Sequence, residues 1–405
     1  MRVLWLACQS PWPADGGGKI RLFNLARTLL ERGHHVDIWV IGQDEVAWPT
    51  PYPRSLTLRR FSAKPRRTPK HKLDAFVNSL PEAAWSARTP AVLEALRQTT
   101  DRSYDVVVLQ QAHLGGVAPE LTRADLPWVL NSENIEWWLT WQISQRTRKL
   151  RTRCRLMLDA MKYRALEKEL LGKAAAVVAV SLADRDRFRA LRPSCQPVVH
   201  PNGVDLRYFS WADHVNPSGA NLLMTGTLGF FPNFDAAQWL RHKVLPLVRR
   251  RIPEATVTLV GGGVIPEVEA LHDPANGYHV VGPVPDVRPY FNQADAFVIP
   301  LRLGSGTRLK ALEALASGLP VVATPSGVEG LGLAERELVV VAENEREFAQ
   351  GIIRVLLDRP LRKRLSADGR RYAEQFFDWE MIGAAFEQTL LAVSKGSAAA
   401  ISEAR

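Results

Sequence analysis

Cysteine is scarce in these 405 residues: Cys8, Cys154 and Cys195 are odd in number and far apart. They show neither metal-ligand spacing nor a disulfide framework, which points to a reducing, cytoplasmic setting. No apolar run approaches the roughly 18 residues needed to span a bilayer. The opening MRVLWLACQSPWP lacks a long hydrophobic region and a small-residue cleavage site, so it reads as a first β-strand rather than a signal peptide. No obvious carboxylate pair and no Ser/His/Asp set offers itself as catalytic machinery. Asp184 and Asp186 form an Asp–x–Asp pair, but Ser181 with Asp184 reads as a capping box, and no metal is expected. Gly16, Gly17 and Gly18 follow the first strand without the spacing of a dinucleotide fingerprint, and no acid stands at the expected place beyond them.

What is present is globular: 46% hydrophobic residues against 23% charged. The length fits two domains better than one core. The formal charge of +10 is unevenly placed. Residues 1–200 carry 31 Lys or Arg against 19 acids, and residues 201–405 carry 21 against 23. The excess gathers in residues 54–72, with eight cations and no acid, and in residues 146–164. Leu150, Leu156, Met157 and Met161 offer the second cluster an apolar face. These segments are either solvated faces or a contact with an anionic surface, such as the inner membrane leaflet. They lack the aromatic interleaving of a nucleic-acid platform.

Strand and helix signals alternate. Strands are expected at 3–7, 36–41, 105–109, 128–130 and 175–180, with a helix over 20–31 stopped by Gly33. Residues 48–67, rich in Pro and Arg, read as an irregular excursion, and about 140–171 as one long helix. The alternation resumes with strands at 221–225, 256–261, 279–282, 296–300, 320–323 and 338–341. Such a pattern predicts α/β architecture, with parallel sheets covered by helices on both faces. Two such units would face a ligand cleft at the carboxyl ends of their strands. Pro, Asn and Gly at 201–205 place the boundary there, between a first domain over 1–200 and a second over 201–377.

The stretch 304–324, GSGTRLKALEALASGLPVVAT, is the most informative. Ser305 or Thr307 is positioned to cap a helix that Gly318 and Pro320 end. A glycine-bearing turn at a helix start directs several N–H groups at one spot, backed by the positive end of the dipole. Arg308 and Lys310 add cations where the dipole favours acids, so an external anion is expected to balance them. Glu313, further along, is suited to accept ribose hydroxyls. The pattern reads as a nucleoside-diphosphate cradle, against the plainer reading of an amphipathic helix.

That segment, with PNGVD at 201–205, PADGGGKIRLFNLARTLLERGHHV at 13–36 and FDWEMIGAAFEQTLLAV at 377–393, resembles the group 1 glycosyltransferases, the retaining, nucleotide-sugar-dependent class with two Rossmann-like domains, the GT-B fold. The resemblance covers nearly the whole chain in the expected order. It implies transfer of a sugar from a nucleotide diphosphate sugar to an acceptor hydroxyl, without metal or further cofactor. The acceptor would be a sugar, a lipid-linked glycan or a small molecule, in cell-envelope, exopolysaccharide or glycoside synthesis. It also implies an acceptor-binding domain over 1–200, onto which the terminal helix within 378–405 crosses back, and a donor-binding domain over 201–377. In that family two glutamates usually stand eight positions apart, yet Ser305 holds the earlier place. The loop TGTLGFFPNFDA lacks the family's diphosphate-binding cations, so Arg308 and Lys310 are expected to replace them.

The resemblance names catalytic candidates His113, Arg308, Lys310 and Glu313. Donor contacts are expected from Gly16, Gly17, Gly18, Arg21, Thr227, Gly282, Pro283, Ser305, Gly306, Thr307 and Leu309. Glu133 and Asn134 are expected near the acceptor, with Glu136 beside them. Each has a plainer alternative: a flexible turn for the glycines, a solvated first helical turn for Lys19 and Arg21, a loop histidine for His113, a helix cap for Glu133 to Glu136, and a core ion pair for Glu313. An epimerase of the same architecture or a silent nucleotide-sugar-binding protein stands as the alternative function.

Overall fold

The computed structural model describes residues 1–42, 45–63, 77–99, 103–210 and 219–396. The chain divides into two compact units, Met1–Pro201 with Trp379–Arg405, and Asn202–Asp378. Each is an α/β unit built on one parallel sheet.

The first sheet runs β3-β2-β1-β4-β5-β6-β7. Its strands are β1 (Arg2–Ala7), β2 (His35–Gly42), β3 (Leu56–Ser62), β4 (Val106–Gln110), β5 (Trp128–Asn131), β6 (Ala176–Ala179) and β7 (Val198–Val199). Val3, Leu4, Trp5 and Leu6 are all fully buried, which is why β1 reads as a continuous apolar run rather than an alternation. Fully burying each such side chain stabilises by about 1.5–3 kcal/mol. The order reverses between β1 and β4, and loops leaving a parallel sheet at such a switch point are where α/β units bind ligands.

The second sheet runs β10-β9-β8-β11-β12-β13. Its strands are β8 (Asn221–Thr225), β9 (Thr256–Val260), β10 (Tyr278–Gly282), β11 (Ala296–Ile299), β12 (Val321–Ala323) and β13 (Val340–Val341). Its core includes the stacked Phe291 and Phe297, with ring centroids 5.4 Å apart. Here the switch lies between β8 and β11.

Two sequence expectations need correction. Part of the supposed excursion at 48–67 is strand β3, paired in parallel with β2 from Leu56 to Ser62. Leu56 and Phe61 supply its buried residues, and the Arg59 guanidinium lies over the Trp39 and Phe61 rings at 5.1 and 5.4 Å. Cations on an edge strand also discourage pairing with other chains, so this composition suits a sheet edge. Residues 64–67, with the rest of the cluster to 72, lie outside the described residues. The single helix expected over 140–171 is two, Glu136–Arg146 and Leu150–Lys173. No Gly or Pro marks the break. Thr147 turns its hydroxyl back to the Ile143 carbonyl at 2.8 Å. The two helices pack on each other, and Leu139 on the first and Tyr163 and Leu166 on the second are buried.

The final helix, Trp379–Ser394, belongs to the first unit and packs against the helix Gly17–Glu31. Phe386 meets Trp5 at 5.6 Å and His200 at 6.0 Å, and His200 Nε2 lies 2.8 Å from Thr389 Oγ1. Glu387 pairs with Arg32 and His34 at 2.5 and 2.6 Å.

Candidate functional site

In the second unit the cradle segment follows β11. The helix begins later than expected: it spans Leu309–Ala316, and Arg308 is its N-cap with no side-chain capping bond. Neither Ser305 nor Thr307 caps it. Both are buried, and Thr307 Oγ1 is buried without a hydrogen-bond partner among the described residues. Leaving a buried hydroxyl unpaired is costly, so a group that accepts or donates there would be welcome.

Lys310 reaches across to the loop after β8. Its Nζ donates to Asn233 Oδ1 at 2.9 Å, and Asn233 Nδ2 donates to the Thr227 carbonyl at 2.9 Å. That approach needs glycine at 226. A Cβ there would stand 2.7 Å from Lys310 Nζ and 2.9 Å from Asn233 Nδ2, and the backbone has φ of +142°. Gly261, at the end of β9, closes on the same loop; its added Cβ would fall 1.9 Å from the Gly226 carbonyl oxygen. Gly261 N in turn donates to Gly282 O at 2.8 Å, which ties in the end of β10. The ends of β8, β9 and β10 thus form one backbone-lined floor beside an ammonium. Thr227 and Pro283 are exposed on it.

Burial lowers the Lys310 pKa, the nearby Arg308 lowers it further, and Glu313 opposes them. Burial raises the Glu313 pKa, with Lys310 opposing. An arriving anion would favour the ammonium form of Lys310. Arg308 donates from Nε to Ser326 O at 3.1 Å and from Nη1 to Ser305 O, so its guanidinium also braces the segment 304–308. Leu309 and Gly306 lie within that segment and helix start; Gly306 is buried and Leu309 half-buried.

The first unit holds a separate cluster at the carboxyl ends of β1, β4 and β5. Glu133 accepts from Gln110 Nε2 and from Gln111 Nε2, the latter at 3.0 Å. Gly18 lies against it: a Cβ there would stand 2.9 Å from Glu133 Oε2. Burial raises the Glu133 pKa, against the lowering effect of Arg21 and the two amides. Gly16 and Gly17 sit at the start of the adjoining helix, Gly17–Glu31. Lys19 pairs with Asp15 at 3.0 Å.

Arg21 differs from expectation. It is fully buried, with Nε and Nη2 on Asn131 Oδ1 and Nη1 on the Pro201 carbonyl at 3.0 Å. Asn131 continues to Gln110 Oε1 at 2.9 Å, which also accepts from Trp5 Nε1. Arg21 is therefore a brace inside the unit, since a buried guanidinium must be paired with acceptors.

His113 opens the short helix Ala112–Val117. Its Nδ1 lies 2.7 Å from the Tyr163 hydroxyl and its Nε2 3.7 Å from Glu136 Oε2. The plainer alternative, that Glu133 to Glu136 cap the next helix, does not hold: Glu167 accepts from Glu136 N and Trp137 N at 2.9 and 3.1 Å. Burial first, and then the Glu136 charge, push the Glu167 pKa up to about 8. Asn134 is half-buried, and its carbonyl accepts from Ser132 Oγ at 2.7 Å. Ser181 caps its helix by accepting from Asp184 N at 3.0 Å. Sequence reasoning missed Asn233, Gln110, Gln111 and Glu167. Asn233, third in the helix Phe231–Trp239 and inside the loop already noted for lacking cations, was the most accessible of these.

Two family models match the chain: "Glycosyl transferase 4-like domain" over residues 16–203 and "Glycosyl transferases group 1" over residues 219–358. An uncharacterized 44.6 kDa protein of the cps region of Klebsiella pneumoniae is 21% identical over 87% of this chain and 90% of its own length. A GDP-mannose-dependent α-(1-6)-phosphatidylinositol monomannoside mannosyltransferase of Mycobacterium tuberculosis is 32% identical, over 35% of this chain and 40% of its own. Among solved structures, sucrose-phosphate synthase from Thermosynechococcus elongatus aligns at TM-score 0.74 and 20% identity, covering 98% of this chain and all of the other. Anabaena HepE in complex with UDP-glucose aligns at TM-score 0.68 and 18% identity, covering 97% and 100%. The two parallel-sheet units have the GT-B fold, and the chain belongs to the group 1 glycosyltransferases.

Proposed function

We propose that this glycosyltransferase moves a sugar from a nucleoside diphosphate sugar to an acceptor hydroxyl, with retention and without metal. The observation that carries the reading is Lys310 held by Asn233 over the glycine floor of β8 and β9; the Thr307 hydroxyl, three residues before it in sequence, has no partner among the described residues. In this reading Lys310 and Thr307 bind diphosphate oxygens. Glu313, one turn along from Lys310, accepts ribose hydroxyls, and the Gly282 and Pro283 backbone passes the nucleobase. Negative charge builds on the departing diphosphate in the transition state, so a cation fixed there lowers the barrier more than it stabilises bound donor. For attack on the same face the leaving phosphate oxygen takes the acceptor proton, and no protein nucleophile is required. His113 contacts the donor sugar. The names of the UDP-glucose-bound HepE and the GDP-mannose-dependent relative support a nucleotide-sugar donor.

The acceptor side belongs to the first unit, with Glu133 and Asn134 near it, in the cytoplasm at an anionic leaflet that carries a lipid-linked acceptor. The phosphatidylinositol monomannoside in the mannosyltransferase's name supports this. Incubation with UDP-, GDP- and ADP-sugars decides the main reading. Release of nucleoside diphosphate, slowed in Lys310→Ala, is expected; an interconverted sugar or binding without turnover would overturn it. Charge-assisted bonds contribute about 1.5–3 kcal/mol, so Lys310→Ala should lower kcat/KM by roughly ten- to a hundredfold.

A further inference from the structure

Between β11 and the helix Leu309–Ala316 the chain runs through residues 303–307, all of them buried, with Gly304 and Gly306 among them. Gly306 has φ of +75°, a left-handed conformation that glycine adopts without strain. Backbone of this kind is free until something pins it, and a ligand that must order it on binding loses affinity by that entropy. The segment carries Thr307 and leads into Arg308 and Lys310, so its placement sets the position of all three.

Both ends of the segment are fastened to one helix, Phe231–Trp239. At the near end Arg302 grips Asp235 with two bonds: Nε donates to Oδ2 at 2.9 Å and Nη2 to Oδ1 at 2.6 Å. The same guanidinium lies over the Trp239 ring at 5.8 Å, one turn further along that helix. At the far end Lys310 Nζ donates to Asn233 Oδ1 at 2.9 Å. The helix follows β8 and the segment follows β11, the two strands that meet at the switch point of this sheet.

A half-buried ion pair adds little to global stability, because water screens it. A bidentate arginine–carboxylate contact instead fixes geometry, since two parallel bonds admit one orientation. Neither Arg302 nor Asp235 is among the groups that bind the donor in the reading above.

We infer that Arg302 and Asp235 are positioning residues for donor binding. Their ion pair, with the Asn233–Lys310 bond, clamps both ends of the segment on one helix and presents Thr307 and the Lys310 ammonium, already ordered, to the diphosphate. This rests on the donor reading above and adds what holds that site in place before a ligand arrives.

The test is calorimetric titration of the full chain with UDP and with GDP, at neutral and at alkaline pH, alongside the melting temperature. Asp235→Asn and Arg302→Ala should each weaken nucleotide binding about tenfold or more at neutral pH, because misplacement by about 1 Å is felt on that scale. The melting temperature should move little. Arg302→Lys keeps the charge without the fork and should recover part of the loss; it carries the same comparison if Asp235→Asn folds poorly. The wild type binds more weakly at alkaline pH, where Lys310 loses its proton. In the clamp variants that dependence should flatten, because the ammonium no longer meets the ligand. As a control, Asp273→Asn breaks the Arg241–Asp273 pair of the same unit, 2.7 Å long, and should leave nucleotide affinity unchanged.

Wild-type affinity in Asp235→Asn and Arg302→Ala, with binding lost in Lys310→Met, would overturn the clamp and leave the donor reading intact. A loss of equal size at both pH values, or an equal loss in Asp273→Asn, would also overturn it, since general loosening of the unit predicts either. Full nucleotide binding in Lys310→Met, or none in the wild type, would overturn the donor reading and the clamp that serves it.

Discussion

At the residue scale the informative position is Lys310. A cation placed where burial and a neighbouring arginine both disfavour its charge weakens the fold that holds it, unless a ligand anion is present. Its pKa is depressed in the folded state, so the unfolded chain binds more protons between that value and the ordinary lysine value of about 10.4. Through that window stability rises with pH, while affinity for a diphosphate falls, because the anion requires the ammonium form. Calorimetric titration with UDP and GDP should therefore show weaker binding as pH rises, with proton uptake on binding. Lys310→Met should raise the melting temperature of the ligand-free protein and abolish the shift that nucleotide produces. A pH-independent affinity, or a full nucleotide shift in the Met variant, would remove Lys310 from the diphosphate site. The cations at 308 and 310 were legible because they stand against their own helix dipole. Asn233 was not, because its meaning depends on a loop of another strand lying 77 residues away in sequence.

At the scale of elements, strands buried on both faces announce themselves as apolar runs, so β1, β4, β5, β6, β8, β11 and β12 were readable. Strand β3 was not, because an edge strand needs only Leu56 and Phe61 inside while its cations face solvent. The break between Glu136–Arg146 and Leu150–Lys173 was equally hidden, since tertiary packing rather than a Gly or Pro makes it. Likewise the true start of the cradle helix depends on Arg308 turning back to backbone carbonyls, which no local propensity reports. The terminal helix carries a prediction of its own. Burial would raise the Glu387 pKa, but bonds from His34 and Arg32 and their charges outweigh it, so the folded value is lowered. Its stabilisation is present above the unfolded carboxylate value of about 4.3 and lost as pH falls through the depressed folded one. Glu387→Ala should cost about 2 kcal/mol in urea unfolding at neutral pH and flatten the acid limb of the stability curve. An unchanged midpoint would mean that the apolar contacts of Phe386 with Trp5 and His200 hold the helix alone.

At the scale of the whole molecule, charge asymmetry is the property that sequence states most plainly and structure makes most specific. Of the cluster at 146–164, the corner between the two packed helices exposes Arg146, Arg148, Lys149, Leu150 and Arg151 together. Leu150 is 72% exposed there, and Met161 is 67% exposed further along the same helix, whereas Leu156 and Met157 are half-buried. The apolar face is thus narrower than the spacing suggested, but the cationic corner is denser. Each basic residue near an anionic leaflet contributes about 1 kcal/mol, screened beyond roughly 10 Å at 0.1 M salt. Four such residues with one inserted leucine are enough for reversible peripheral binding, and no helix among the described residues is long and apolar enough to cross a membrane. Cosedimentation with phosphatidylglycerol vesicles at low salt should therefore be strong, and should fall away at high salt or on neutral phosphatidylcholine. Reversing Arg146, Arg148, Lys149 and Arg151 to Glu should abolish it without touching the Lys310 cradle, so nucleotide binding serves as the internal control. Equal sedimentation of wild type and the reversed variant on anionic vesicles would assign these charges to solvent and leave the acceptor a soluble one.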